Sequence, residues 1–174
     1  MKRVFYFAVL LTLALWVTQA AAIPLQQAYD ESAPGAGYDK MILLDPEEVY
    51  TGGLLIEGET VCILSCGAQV NLQGDHIVVE PSALLDICGV VLTNSDSDAL
   101  RYNEAGRGWI DHCTFWGNYD AVYFWDGSDM VLTSNVFSFS SHYGVYCHED
   151  AQRWMAFNDA WENAGGNYKE YCPG

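Results

Sequence analysis

The 174-residue chain sets 23 acidic residues against 7 Lys and Arg, a formal charge of −16. That balance excludes the basic surface that nucleic acid or anionic lipid would require. It suits a soluble extracellular protein or one that attracts cations.

The first 22 residues read as a targeting segment. Lys2 and Arg3 make a basic start, 4–17 an apolar core, and 18–22 (Thr-Gln-Ala-Ala-Ala) a small-residue cleavage zone. The apolar run is short for a membrane span and no second one follows it, so a secreted protein is expected. Cleavage after Ala22 leaves 152 residues, the size of one domain, with 5 basic residues against 23 acidic ones and a charge of −18. Residues 23–38 carry Pro and Gly without periodicity and read as a flexible leader. Residues 39–174 then form the folded domain.

From Met41 onward, short apolar runs alternate with turn residues: 41–44, 53–56, 61–64, 69–72, 76–80 and 84–92. They are rich in Val, Ile and Leu, as strands require. The gaps are too short for β-α-β crossovers and lack the Asn-Gly dipeptides that two-residue hairpins prefer. In the C-terminal half a faint repeat appears. Asn135 stands 22 residues after Cys113 and 23 before Asn158, and Ala99-Leu100, Ala121-Val122, Gly144-Val145 and Gly166-Asn167 keep the same step. A period in this range means a solenoid, whose units bury their apolar sides by stacking.

Short strands, short turns and this step predict an all-β chain, a right-handed parallel β-helix of four to six rungs of about 22 residues. Each rung should hold three strands. Phe115 and Phe137 are expected at one core position with Ala160 beyond them, and Leu100, Val122 and Val145 at another. Asn135 and Asn158 should lie at a bend, where stacked amides satisfy turn backbone, with Cys113 in that place one rung earlier. Six cysteines (Cys62, Cys66, Cys88, Cys113, Cys147, Cys172) permit fifteen pairings, and their spacing selects none. Cys62 and Cys66 have no second close pair to complete a zinc site, so a disulfide or a buried thiol is expected for each.

The chain resembles the right-handed β-helix proteins of the pectate-lyase-like superfamily over nearly all of its length after residue 22. Residues 49–56 (Val-Tyr-Thr-Gly-Gly-Leu-Leu-Ile) look like the opening rung of that group, and 67–72 and 83–92 are similar to its following rungs. The ending 166–174 is similar to a segment that continues further in many secreted bacterial members. The C-terminal end is therefore expected to be truncated, with Cys172 separated from a partner that would have followed.

Trp109-Ile110-Asp111-His112 resembles the Trp-Ile-Asp-His motif of pectate lyases, which cleave acidic polysaccharide by calcium-assisted β-elimination. The resemblance implies a structural role for the motif, so His112 is not read as a catalytic base. It also implies calcium carboxylates on neighbouring rungs, at Asp98 and Asp120. Their spacing of 22 should stack them on one face, roughly 5 Å apart at the usual strand separation. Carboxylates that close repel unless a cation or a proton intervenes. The family's next ligand position holds Phe124, and Asp126 is out of register. The Arg used as base in that family has no counterpart in 164–169, where Lys169 is the basic residue, and a basic clamp one rung earlier is approximated by His142. Inverting hydrolysis needs two carboxyl groups about 6.5–9.5 Å apart. Asp96, Asp98, Asp120, Glu149 and Asp150 could supply such a pair, but the Asn-Thr-Asp and Gly-His-Gly motifs of polygalacturonases are absent.

Aromatic side chains cluster in three rungs: Trp109, Trp116, Tyr119, Tyr123, Phe124, Trp125, Phe139, Tyr143 and Tyr146. Alternation turns some of them outward, and exposed rings beside carboxylates suit sugar stacking. Trp116, Tyr123, Trp125 and His142 form the candidate carbohydrate face. Two readings compete. The first is a secreted, non-catalytic surface, scaffold or carbohydrate-binding module that requires no cofactor. The alternative is a calcium-dependent polysaccharide lyase of reduced length. The expected partner is a polysaccharide, with no nucleic acid and no membrane span. An uncapped last rung, with free backbone groups, is expected to promote self-association.

Overall fold

The computed structural model describes residues 22–169 and 171–172. The expected targeting segment, Ala22 apart, lies outside the described residues. Strands of the described chain repeat in threes. β3 (Tyr38–Leu43), β4 (Val49–Thr51) and β5 (Leu54–Ile56) make the first turn, and β6 (Thr60–Leu64), β7 (Gln69–Gly74) and β8 (Ile77–Val79) the second. Then follow β9 (Leu84–Cys88), β10 (Val91–Ser95) and β11 (Asp98–Tyr102), and β12 (Arg107–Asp111), β13 (Thr114–Trp116) and β14 (Asp120–Phe124). The last two turns are β15 (Asp129–Thr133), β16 (Val136–Ser138) and β17 (Tyr143–Cys147), then β18 (Gln152–Ala156), β19 (Asp159–Trp161) and β20 (Gly166–Tyr168). Each strand pairs in parallel with its equivalents one turn before and after. The result is a solenoid of about 6 turns with three sheets, led in the first turn by β3, β4 and β5.

Strand alternation sends one set of side chains into a narrow core, where equivalent residues stack. The first sheet stacks Ile42, Ile63, Ile87, Ile110, Leu132 and Met155. The second stacks Leu92, Phe115, Phe137 and Ala160, with the two phenyl rings 5.2 Å apart. The third stacks Leu100, Val122 and Val145, as the repeat predicts. Phe115, Phe137, Leu100, Val122 and Val145 are fully buried. Each such side chain contributes about 1.5–3 kcal/mol of hydrophobic stabilisation. The step between equivalents is 22 or 23 residues along the later turns. It is 21 from Ile42 to Ile63 and 24 from Ile63 to Ile87, which is why the repeat fades toward the N-terminus.

Corners hold the three sheets apart. Between the first and second sheets, Gly89, His112, Ser134 and Phe157 all take φ between +50° and +69°. At Gly89 a side chain would meet Ser65 O at 2.1 Å, so only glycine fits there. The other three accept a left-handed conformation that costs a non-glycine residue about 1–2 kcal/mol. The stacked amides follow Ser134 and Phe157, as Asn135 and Asn158, and Cys113 takes that place after His112. Asn135 Oδ1 accepts from Cys113 N–H at 2.9 Å, Asn158 Oδ1 accepts from Asn135 N–H at 3.0 Å, and the Asn135 amide donates to Ile110 O at 2.8 Å. A second amide column, at the corner between the second and third sheets, goes unseen in the sequence. There Asn118 accepts from Ser95 N–H and Asn163 from Ser140 N–H.

Residues 23–38 are no flexible leader. β1 (Ile23–Pro24) pairs in parallel with β4, α1 (Leu25–Glu31) crosses the open end of the stack, and β2 (Ala33–Gly35) turns back antiparallel onto β3. Leu25 is fully buried, and Ile23, Ala28 and Tyr29 pack beside it on the core. Hydrophobic residues spaced over one short helix thus cover the first rung, and β2 occupies the free edge of β3. Among the described residues, no helix is long and apolar enough to cross a membrane.

Candidate functional site

The outer face of the third sheet gathers the most chemistry. Register sets Val78, Arg101, Tyr123 and Tyr146 in one outward column, because their neighbours Leu100, Val122 and Val145 point inward. Tyr123 and Tyr146 stack with centroids 4.6 Å apart. The Arg101 guanidinium lies 5.6 Å from the Tyr123 centroid, and Lys169 Nζ 4.0 Å from that of Tyr146. Lys169 also donates to the Tyr146 hydroxyl. The column therefore reads cation, ring, ring, cation, and each cation faces the electron-rich face of its ring. Burial pushes the Tyr123 phenol up to about 12, with Tyr146 adding to the rise.

Two flanks carry further rings. On one, Trp125 stacks on His148 at 4.6 Å, His148 Nε2 is 3.0 Å from the Tyr123 hydroxyl, and His148 Nδ1 is 3.2 Å from Asp126. On the other, Tyr119 stacks on His142 at 4.8 Å. Ring faces inside the column are spent on one another, so the column itself presents hydroxyls and cationic heads. The flanking rings remain open, with Tyr119 44% and Trp125 39% exposed. Toward the N-terminal end this face runs into a depression of about 290 Å³ whose lining includes Leu55, Asp75, His76 and Val78.

Asp98 and Asp120 do pair in register on this sheet, on β11 and β14. Both are nearly buried, at 3% and 2% exposure. Each is engaged by protein groups. Arg101 Nε donates to Asp98 Oδ2 at 2.5 Å, while Asp120 faces His142 Nδ1 at 2.9 Å and accepts from Tyr143 N–H at 2.6 Å. Burial pushes the Asp98 carboxyl up from its ordinary value; Arg101 opposes this without cancelling it, and Asp120 adds to it. Phe124, at the position of the next ligand implied by the lyase resemblance, is a fully buried core residue 5.8 Å from Tyr102.

Of the four candidate carbohydrate residues, Tyr123, Trp125 and His142 meet on this face. Trp116 does not. It belongs to β13 in the second sheet, where its partner is Phe139 at 6.3 Å. The Trp109–His112 stretch lies on β12 and its corner, in the first sheet, so the structure does not bring it together with Asp98 and Asp120. Three sheets of parallel strands with stacked apolar columns run from β3 to β20, and the model of the right handed beta helix region matches residues 47–168. The chain belongs to the right-handed β-helix family. No curated protein and no solved structure matches it.

Within this β-helix, Arg101 is new to the site, and Tyr146 and Lys169, one of the clustered rings and the basic residue of 164–169, join it by register. A signal for them existed. Residues 78, 101, 123, 146 and 169 follow the same step of 22 or 23, one place after the inward column. Cys172, expected to lack its partner, lies against Cys147. The Cys147 thiol is pushed up by its hydrogen bond to the Cys172 sulfur and by burial, and Cys172 is lowered by that same bond.

Proposed function

We propose that this β-helix is a secreted, non-catalytic binding module whose third-sheet face takes a polysaccharide. The observation that carries the reading is the pair of open rings, Tyr119 and Trp125, set on either side of the Arg101–Tyr123–Tyr146–Lys169 column. Open aromatic faces supply apolar contact to the C–H faces of sugars, while hydroxyls and cationic heads between them bond hydroxyl or acid groups. The basic start and apolar run within 1–22 support export. Affinity electrophoresis through gels holding a neutral or an acidic polysaccharide tests the reading. Retardation that disappears in Tyr119→Ala/Trp125→Ala, with the circular dichroism spectrum unchanged, supports it. Free migration of the wild type in every gel overturns it.

The stacked register of Asp98 and Asp120 favours the calcium-dependent lyase as a second reading. Against it stand the protein partners of both carboxylates. Calcium takes six to eight oxygens, and here the two acids are nearly buried and already face Arg101, His142 and the Tyr143 N–H. Unsaturated product from polygalacturonate, read by ultraviolet absorbance, abolished by chelator and lost in Asp98→Ala, would replace the first reading by the second.

A further inference from the structure

The outer face of the first sheet holds a different cluster. Cys88 and Asp111 are register partners on β9 and β12, and His112 occupies the left-handed corner that follows. One ligand atom from each of the three lies within 4.8 Å of the others. Asp111 Oδ2 is 2.8 Å from His112 Nδ1 and 3.9 Å from Cys88 Sγ. We propose that Cys88, Asp111 and His112 form a binding site for zinc(II) or a metal of the same borderline class.

Donor chemistry selects the metal. A thiolate, an imidazole and a carboxylate suit zinc, whereas calcium and magnesium favour all-oxygen shells. Zinc bonds of about 2.0–2.3 Å place tetrahedral ligand atoms roughly 3.3–3.8 Å apart, so the set needs only small side-chain adjustments to close on an ion. The carboxylate is held from behind. Asp111 Oδ1 accepts from the Thr133 hydroxyl, and the Thr133 oxygen accepts from Trp109 Nε1 at 2.7 Å. That relay leaves Oδ2 turned toward the thiol and the imidazole, the arrangement by which outer groups orient metal ligands. The corner contributes too, since His112 N–H donates to Thr133 O at 3.1 Å and fixes the backbone from which the imidazole projects.

Three protein ligands leave a fourth position for water or an external ligand. It opens beside a cleft of about 230 Å³ that Tyr38, Cys62, Asp86 and Trp109 help to line, and the His112 side chain is 67% exposed, so an ion has a path in. Along the same outward column, Leu64 precedes Cys88, and Ala156 follows Thr133. Metal donors thus stand at two adjacent rungs of a column that is apolar at both ends.

The test uses the full chain, reduced with a phosphine, desalted, and titrated with cobalt(II) and then zinc(II). One equivalent of cobalt should bind with a thiolate-to-metal charge-transfer band and tetrahedral visible bands, and zinc should abolish both. Cys88→Ser should remove the charge-transfer band. His112→Asn, which keeps a residue tolerant of the left-handed corner, should weaken binding at least tenfold, and Thr133→Val about 10–100-fold with the band retained. Cys66→Ser, outside the three-ligand set, should leave the band in place. Absence of the band in the reduced wild type overturns the site. So does its persistence in Cys88→Ser, its loss in Cys66→Ser, or unchanged affinity in His112→Asn. Circular dichroism of each variant separates lost ligation from lost fold, and the outcome is independent of polysaccharide binding.

Discussion

Two columns run side by side along β11, β14 and β17, one residue apart in sequence and opposite in direction. The inner one is Tyr102, Phe124, Cys147; the outer one is Arg101, Tyr123, Tyr146. Both stack rings at rung spacing, yet they answer to different constraints. Inside, every member is fully buried, and the one polar atom of a ring, the Tyr102 hydroxyl, donates to Leu85 O at 2.8 Å. Outside, the rings are flanked by cations, and their hydroxyls face His148 and Lys169. The same stacking therefore buries rings on one side of the backbone and sets rings against cations on the other.

The sharpest way to break that contrast is to truncate neighbours. Phe124→Ala should cost about 3–5 kcal/mol, through lost burial and a cavity at the centre of the stack. Tyr123→Ala, one residue away, should cost less than about 1 kcal/mol in the same denaturant titration. Equal losses would make the outer column a structural element and remove the basis for a binding face.

Next in size is the end of the inner column. Cys147 is buried there and faces Cys172, and the structure records both as thiols. Exchange with oxidised glutathione would join the two sulfurs and release two glutathione thiols. The bond closes the last turn and should raise stability by about 3 kcal/mol for a loop of this length. Peptide mapping without reductant should recover the Cys147–Cys172 pair, and Cys172→Ser should erase the gain. A smaller cost, about 1–3 kcal/mol, is expected for Asn135→Ala, because its side chain satisfies Cys113 N–H and Ile110 O inside a buried corner. Asn158→Ala, at a half-buried corner one turn later, should cost less in the same assay.

Much of this architecture was legible because a parallel stack converts sequence spacing directly into contact. Phe115 meets Phe137, and Cys113, Asn135 and Asn158 share one corner, as the step of 22 or 23 requires. What stayed hidden has physical causes. The early steps of 21 and 24 blur the period before Ile87. The left-handed corners are filled by His112, Ser134 and Phe157, types that do not announce such a conformation as Gly does. The strands and helix within residues 23–38 were masked by Pro and Gly that end short elements rather than loosen them. Arg101 and Lys169 gain partners only when register sets them against Tyr123 and Tyr146. Cys88 and Asp111 are 23 apart and therefore adjacent, but only the corner conformation at His112 shows that a third donor joins them.

The smallest expected effect appears at alkaline pH and separates the two columns without disturbing packing. Tyr123 has its phenol pushed up to about 12, first by burial and then by Tyr146, while an unfolded chain titrates tyrosine near 10. Between those values the folded state holds a proton that the unfolded state has released. The stability this group contributes is thus complete below about pH 10 and is lost as pH rises through about 12. Unfolding free energy should fall across that window, and the fall should be shallower in Tyr123→Phe, which keeps the ring and its stack but cannot ionise. The parallel tyrosinate absorbance titration should lose one late-titrating phenol in that variant. An unchanged slope together with an unchanged titration would place Tyr123 in open water, and would remove the partial desolvation that the proposed binding face requires.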